Sequence, residues 1–248
     1  MKNTRKEWGM AVFVTSDTHG SAAKFRKVLK KSKIDLSTDV LYHLGDILDR
    51  GSGSIKLFFD ILKMSEKYPG HVHMLKGNHE LFCELYMEQK LSYKQWSDWG
   101  GSNTLKELNL LTDEKRQALL ENIKKMPIYE EITLNGKEYV LTHSGFLEKY
   151  AVYESDDTII NVVGSIKSGY EKAGPLKHLC SVDVHYVPNV KFDKTIIVGH
   201  QPTLKLEGYK PEVLVRKNLI DVDTGGGHIS EGGKVSVLKL DTMETFYA

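Results

Sequence analysis

Residues 10–20 read Met-Ala-Val-Phe-Val-Thr-Ser-Asp-Thr-His-Gly, an apolar, β-rich run that turns polar at Ser16. Such a switch marks a buried strand emptying into a polar loop. Phe25, Val28 and Leu29 then follow i, i+3, i+4 spacing among Lys and Arg, which predicts an amphipathic helix over about 21–32. The unit repeats twice. Val40–Leu44 runs into Gly45-Asp46, with Ile55, Phe58, Phe59 and Leu62 marking the next helix face. His71–Leu75 runs into Lys76-Gly77-Asn78-His79-Glu80, followed by a helical pattern over Leu81–Lys90. Three strand–loop–helix units in a row argue for parallel strands with helical crossovers. In such sheets ligands sit beyond the carboxyl ends of the strands, where all three polar clusters fall.

The second half is richer in strands. After a helix over Thr112–Lys125, Ile128–Leu134 and Glu138–Thr142 flank Asn135-Gly136, the preferred two-residue hairpin turn. Thr195–Val198, Glu212–Val215, Leu219–Val222 and Lys234–Leu240 add further strands. The expectation is an α/β chain in which two mixed β-sheets pack as a sandwich flanked by helices. Residues 1–248 then form a single domain. Leu147–Lys191 lacks sustained periodicity and reads as an irregular, cleft-shaping segment.

Composition narrows the class. Hydrophobic residues at 40% and charged residues at 27% are ordinary for a globular chain. Lys+Arg 34 against Asp+Glu 33 leaves a formal charge of +1, which gives no support for dedicated nucleic-acid binding. A small phosphorylated substrate depends on local charge alone. Cys83 and Cys180 lack metal-site spacing and read as free thiols. No apolar run approaches the roughly 18 residues needed to span a bilayer, and Met1–Met10 lacks the apolar segment of a signal peptide. A cytoplasmic protein without membrane association is the expectation.

Six polar residues recur at five strand ends: Asp17, His19, Asp46, Asn78, His143 and His200. A two-metal hydrolytic centre needs such oxygen and nitrogen ligands converging on ions roughly 3.5–4 Å apart. One carboxylate must bridge them, while neutral imidazoles and amides limit negative charge beside an anionic substrate. Asp17 and His19, two apart, were placed to point the same way off a strand end. Ligation without thiolate suits Mn²⁺, with Fe or Zn²⁺ as alternatives.

Three segments carry a resemblance. Ser16-Asp17-Thr18-His19-Gly20, Gly45-Asp46-Ile47-Leu48-Asp49-Arg50-Gly51 and Gly77-Asn78-His79-Glu80 resemble the signature of calcineurin-like metallophosphoesterases, in particular the phosphoprotein phosphatase branch. That branch includes bacterial and phage Ser/Thr phosphatases and symmetrical dinucleoside tetraphosphatases. Trp99-Gly100-Gly101 with Thr104, Thr142-His143-Ser144-Gly145, Val198-Gly199-His200-Gln201-Pro202 and Asp223-Thr224-Gly225 continue the family's order. The resemblance implies a four-layer αββα fold. It also implies one divalent ion on Asp17, His19 and Asp46, and a second on Asp46, Asn78, His143 and His200. A hydroxide bridging the two would attack phosphorus in line, Arg50 would bind phosphate oxygens, and His79, oriented by Asp49, would protonate the leaving oxygen. Arg50, Asn78 and His79 would line the substrate site.

The implied activity is phosphomonoester hydrolysis on phosphoserine or phosphothreonine in a protein, or on a small phosphoester. Hydrolysis of dinucleoside polyphosphates or other nucleotide phosphates is the alternative. A metal-binding scaffold without activity is a third reading, although no ligand of the set is missing. One departure bears on substrate. The branch usually places a second Arg between the His143 and His200 motifs, yet no Arg or Trp occurs from Phe146 to Gly199. Lys177 is a candidate substitute, with a point charge in place of a fork. Other tempting residues receive plainer readings: His43, His71 and His73 as packed or hydrogen-bonded groups, and Trp96 and Trp99 as packing anchors. Asp223 reads as a loop-structuring residue and Gly225-Gly226-Gly227 as a tight turn, while His185 and His228 fall in irregular segments.

Overall fold

The computed structural model describes residues 10–155, 158–187, 191–206, 208 and 210–248. The N-terminal stretch read above for signal-peptide character lies outside these, apart from Met10. The first sheet contains β1 (Val12–Thr15), β2 (Val40–His43), β3 (Val72–Met74), β12 (Ser236–Lys239) and β13 (Glu244–Tyr247), in the order β13-β12-β1-β2-β3. β1, β2 and β3 run parallel, and β12 and β13 close the sheet antiparallel. The second sheet contains β4 (Tyr129–Leu134), β5 (Lys137–Thr142), β9 (Thr195–Val198), β10 (Leu214–Val215) and β11 (Leu219–Asp221), in the order β10-β11-β9-β5-β4. Here β5, β9 and β11 are parallel inside two antiparallel edges.

Pleat alternation explains why these sheets stack with helices outside. Successive strand residues face opposite sides. Val12, Val14, Val40 and Tyr42 of the first sheet meet Tyr139, Leu141, Ile197 and Ile220 of the second in one buried core. The intervening Phe13 and Leu41 face the other way, into a core completed by Phe25 of α1 (Ala22–Ser32) and Phe58 of α2 (Ser54–Lys67). Cys83 of α3 (Asn78–Met87) and Ile123 of α6 (Asp113–Lys125) join it. Val140, Ile196 and Val198 likewise turn outward, against Ile166 of α7 (Val162–Ala173). Near-complete burial of both strand faces is why the parallel strands read as continuous apolar runs. The β4–β5 hairpin turns through Asn135 (φ 51°) and Gly136 (φ 75°), so Leu134 pairs with Lys137 as the Asn-Gly signal required.

Several elements differ from the sequence reading. Residues 147–191 are not irregular throughout. They include a small sheet of β6 (Val152–Tyr153), β7 (Ile159–Asn161) and β8 (Lys191–Phe192), with α7 and α8 (Pro175–Leu179) between. Strands of two or three residues are too short to display a period, and two glycines within α7 blur its helical stripe. Between α3 and α6 the chain forms α4 (Tyr93–Trp96), a π turn at Ser97–Gly101 and α5 (Ser102–Asn109), none of which has a continuous apolar period. The closing strand β13 was also not anticipated. No helix among the described residues is long and apolar enough to cross a membrane.

His43 is buried at the end of β2, with Nε2 3.0 Å from Thr18 Oγ1 and Nδ1 accepting from the Gly45 N–H. Burial pushes its imidazole down from the ordinary 6.5 to about 3. Below about pH 6.5 the unfolded chain therefore binds a proton that the folded chain refuses until about pH 3. Its contribution to stability is complete above that window and declines as pH falls through it. Chemical denaturation at steps from pH 7 to 4 should show a shallower loss of stability in His43→Gln than in the unaltered protein. An unchanged slope would refute this.

Candidate metal centre

The loops after β1, β2, β3, β5 and β9 meet at one end of the sandwich. Their backbone is unusual. Asp17, His19, Asp46, Asp49, Arg50 and His200 all have left-handed φ, between 42° and 70°. Each such non-glycine residue costs about 1–3 kcal/mol and persists only where its surroundings over-determine it. Here the first loop is laced to the second: Asp17 N–H donates to Gly45 O, His19 N–H to Asp46 O and Gly20 N–H to Ile47 O, at 2.9–3.0 Å. Asp17 and His19 therefore lie beyond β1, and this left-handed loop, not pleat alternation, brings them together.

Asp46 occupies the middle of the site. Its Oδ2 lies 3.6 Å from His19 Nε2, and its Oδ1 lies 3.4 Å from His143 Nε2. Asp17 Oδ1 lies 3.9 Å from His19 Nε2 on one side. On the other, Asn78 Oδ1 is 2.8 Å from both His143 Nε2 and His200 Nδ1. The six residues named from the sequence thus form two groups that share Asp46. Ser16 Oγ and the His200 N–H both donate to Asp17 Oδ2, leaving Oδ1 turned towards the cluster.

The donor set fits divalent cations for a specific reason. His19 Nδ1 is 2.7 Å from Leu48 O, and His143 Nδ1 is 3.0 Å from Leu44 O. A carbonyl only accepts, so each Nδ1 carries the hydrogen and each neutral ring presents a lone pair at Nε2. His143 Nε2 consequently faces Asn78 Oδ1 and Asp46 Oδ1 with acceptors on both sides. A cation reconciles such an arrangement, and carbonyl-anchored imidazoles are how proteins orient metal ligands. Burial keeps the rings neutral, pushing His143 down to about 3 and His200 to about 4. Asp46 is shifted the other way, raised by burial and by the neighbouring Asp17 and Glu80 charges.

Beside this cluster stands a second arrangement. His79 Nδ1 is 2.6 Å from Asp49 Oδ2, and its Nε2 lies 3.8 Å from Asp46 Oδ2. Trp96 Nε1 donates to the same Asp49 oxygen at 2.7 Å, and the Asp49 N–H donates to Thr104 Oγ1. Trp96 is more than the packing anchor expected from sequence. A buried indole needs a partner for its N–H, and that requirement was the available clue. Gly225-Gly226-Gly227 also does more than turn. A Cβ on Gly227 would collide with His19 and Arg50, so this backbone presses directly on the site.

Arg50 lies between two cavities, of about 720 Å³ and about 590 Å³. The larger is lined by Asn78, His79, Phe82, Trp99 and Lys177 among others. Lys177 therefore lines the same cavity as Arg50, Asn78 and His79. His185 does not, since its buried ring is 2.9 Å from Asp221 Oδ2. His228 pairs with Glu231 at the surface, His71 bonds Asp39 O, and His73 lies against Tyr42 and Glu130. Asp223 accepts the Gly225 N–H and orders that loop.

A family model described as calcineurin-like phosphoesterase matches residues 10–229. The symmetrical bis(5'-nucleosyl)-tetraphosphatase of Nitrosospira multiformis is 26% identical over 96% of this chain and 95% of that protein. Human serine/threonine-protein phosphatase 5 is 31% identical, over 32% of this chain and 15% of that protein. Among solved structures, a putative diadenosine tetraphosphatase superposes with a TM-score of 0.57 at 13% identity, covering 98% of this chain and 94% of that one. A Saccharomyces cerevisiae protein serine/threonine phosphatase gives 0.58 at 17%, covering 96% and 80%. At those identities the structures speak to the fold.

Because both groups share Asp46, Asp46→Asn should weaken both ions together. Calorimetric titration of metal-stripped protein with Mn²⁺ should show two sites in the unaltered chain and the loss of both in the variant. Retention of one site at full affinity would refute the shared carboxylate.

Proposed function

The chain belongs to the calcineurin-like phosphoesterase family, a family of metal-dependent hydrolases, and from that premise we propose how its own residues perform the reaction. Asp17, His19, Asp46, Asn78, His143 and His200 hold two divalent ions, with Mn²⁺ the first choice and Fe or Zn²⁺ the alternatives. Such ions, when bound, supply positive charge at the phosphoryl oxygens and a water activated at neutral pH. The observation that carries this reading is the meeting of acceptor with acceptor at His143 Nε2 and Asn78 Oδ1.

Arg50, at the junction of the two cavities, binds the phosphoryl oxygens and offsets the charge that builds on them in the transition state. His79, in its doubly protonated form, donates Nδ1–H to Asp49 and offers Nε2–H to the leaving oxygen. As the phosphorus–oxygen bond breaks, that proton passes to the departing alkoxide or phosphate, and Asp49 stabilises the ring through the transfer. No phosphorylated side chain is formed on this route. The whole chain acts as one catalytic unit, a reading supported by the buried core common to both sheets. Two free cysteines support a reducing, cytoplasmic setting.

The first substrate reading is a phosphoserine or phosphothreonine ester, supported by the likeness to phosphatase 5 over about a third of the chain. Dinucleoside polyphosphate is the second reading, and what favours it is the match to a symmetrical tetraphosphatase along almost the whole of both chains.

Phosphate release by metal-stripped protein, with and without Mn²⁺, should be measured on a phosphothreonine peptide and on diadenosine tetraphosphate. Metal-dependent turnover of the peptide alone supports the first reading, and of the dinucleotide alone the second. Turnover of neither overturns both. His79→Asn should lower kcat by about 10²–10⁴ on an ester with a poor leaving group while keeping its metal. The loss should be much smaller on p-nitrophenyl phosphate, whose leaving group needs no proton.

A further inference from the structure

The two cavities that meet at Arg50 are chemically unlike. The smaller is lined by His19, Ser21, Lys24 and the Gly226-Gly227 backbone, and His79 does not reach it. The larger contains His79 and so, on the reading above, receives the leaving group. One of its walls is aromatic. Trp99 leaves 40% of its surface exposed there and packs on Phe82 at 4.8 Å between ring centroids. The turn from α7 into α8 also lines it, carrying Pro175, Leu176 and Lys177.

That turn is held in place. His178 and Leu179 are buried beneath it, the His178 N–H donates to Gly174 O, and Ser144 Oγ donates to the His178 carbonyl at 2.9 Å. Lys177 rides on this support, exposed, and makes no hydrogen bond or ion pair with any described residue. No Asp or Glu lines the cavity to neutralise it. A cation carried on an anchored backbone, an exposed indole and Arg50 at the reacting end line one site for a body that is both charged and flat. A serine or threonine side chain is neither.

We propose that Lys177 is a specificity-determining residue, pairing with a second anionic group carried by the leaving portion of the substrate while the body of that portion lies against Trp99. This rests on the reading that places the leaving group beside His79. The chemistry of Lys supports a contact away from the reacting phosphorus. Its ammonium is a point charge on a flexible stem and suits an anion of variable position, whereas clamping one phosphoryl group calls for a planar fork. A leaving group that is itself phosphorylated and bears a ring has the required form.

The test uses Mn²⁺-loaded protein and two probes, ADP and inorganic phosphate, with dissociation constants measured by calorimetry. Inorganic phosphate reports the reacting end alone, whereas ADP adds a second anion and a ring. Lys177→Ala should weaken ADP about tenfold more than it weakens phosphate, a loss typical of one charge-assisted hydrogen bond. Lys177→Arg should recover most of that difference. Equal weakening of both probes would place Lys177 on the reacting phosphoryl group and overturn the proposal. Undiminished ADP binding in Lys177→Ala, or no ADP binding by the unaltered protein, would overturn it as well. Turnover of phenyl phosphate by the unaltered protein is measured alongside. Its absence would count against the phosphoester reading of the site, while the difference between the probes would still decide the role of Lys177.

Discussion

The Glu80 carboxylate ties together the two loops on which the site depends. Oε2 accepts from the Asp46 and Gly77 N–H groups, and Oε1 from those of Ile47 and Leu48. One buried anion thus satisfies four donors from the ends of β2 and β3. Asp46 Oδ1 returns a bond in the other direction, accepting the His79 N–H at 3.0 Å. The approach leaves no room for a side chain at position 77, where a Cβ would run into the Asp46 carboxylate and backbone. The Asp46 carboxylate is therefore fixed before any ligand arrives, and every other ligand is placed relative to it.

This fixation has an electrostatic consequence. Asp17, Asp46, Glu80 and Asp223 are buried near one another, and burial with mutual repulsion raises Asp46 and Asp223 well above the carboxylate range. Three imidazoles nearby are held neutral and contribute no positive charge. The cluster consequently repels itself when its carboxylates ionise. A cation bound at this candidate site would release those protons, so its affinity would rise with pH until the carboxylates are fully ionised. Left-handed backbone at Asp17, His19, Asp46 and His200 adds conformational strain at the same place.

Much of this was legible in the chain because the informative signals were local. Parallel strands buried on both faces announce themselves as apolar runs, and the motif residues directly follow them. The six candidate ligands, His79, Asp49 and Arg50 all come together at that end of the sandwich. What was not legible depends on partners distant in sequence. Trp96 reveals its bond to Asp49 only once α4 is placed against the loop after β2, 47 residues away. Gly227 looks like a turn residue until the backbone is seen against His19 and Arg50. The 147–191 segment hides its helices because α7 carries glycines and the strands beside it are two or three residues long.

That segment couples two tasks that the sequence presents separately. It connects β5 to β9, the strands that deliver His143 and His200. It also presents Lys177 to the larger cavity. A change that shifts α8 to suit a different leaving group therefore also moves the His178 carbonyl, which holds Ser144 next to His143. The front half shares this constraint in part, because α3, which carries Asn78 and His79, packs on α8, while Glu80, Asp49 and Trp96 hold Asp46 and His79 from the motif side. Adjustment for substrate that leaves the cluster undisturbed therefore falls to side chains that project from α8 while its backbone stays in place. Lys177 is such a side chain, since its backbone is held by α8 while its ammonium engages no described residue.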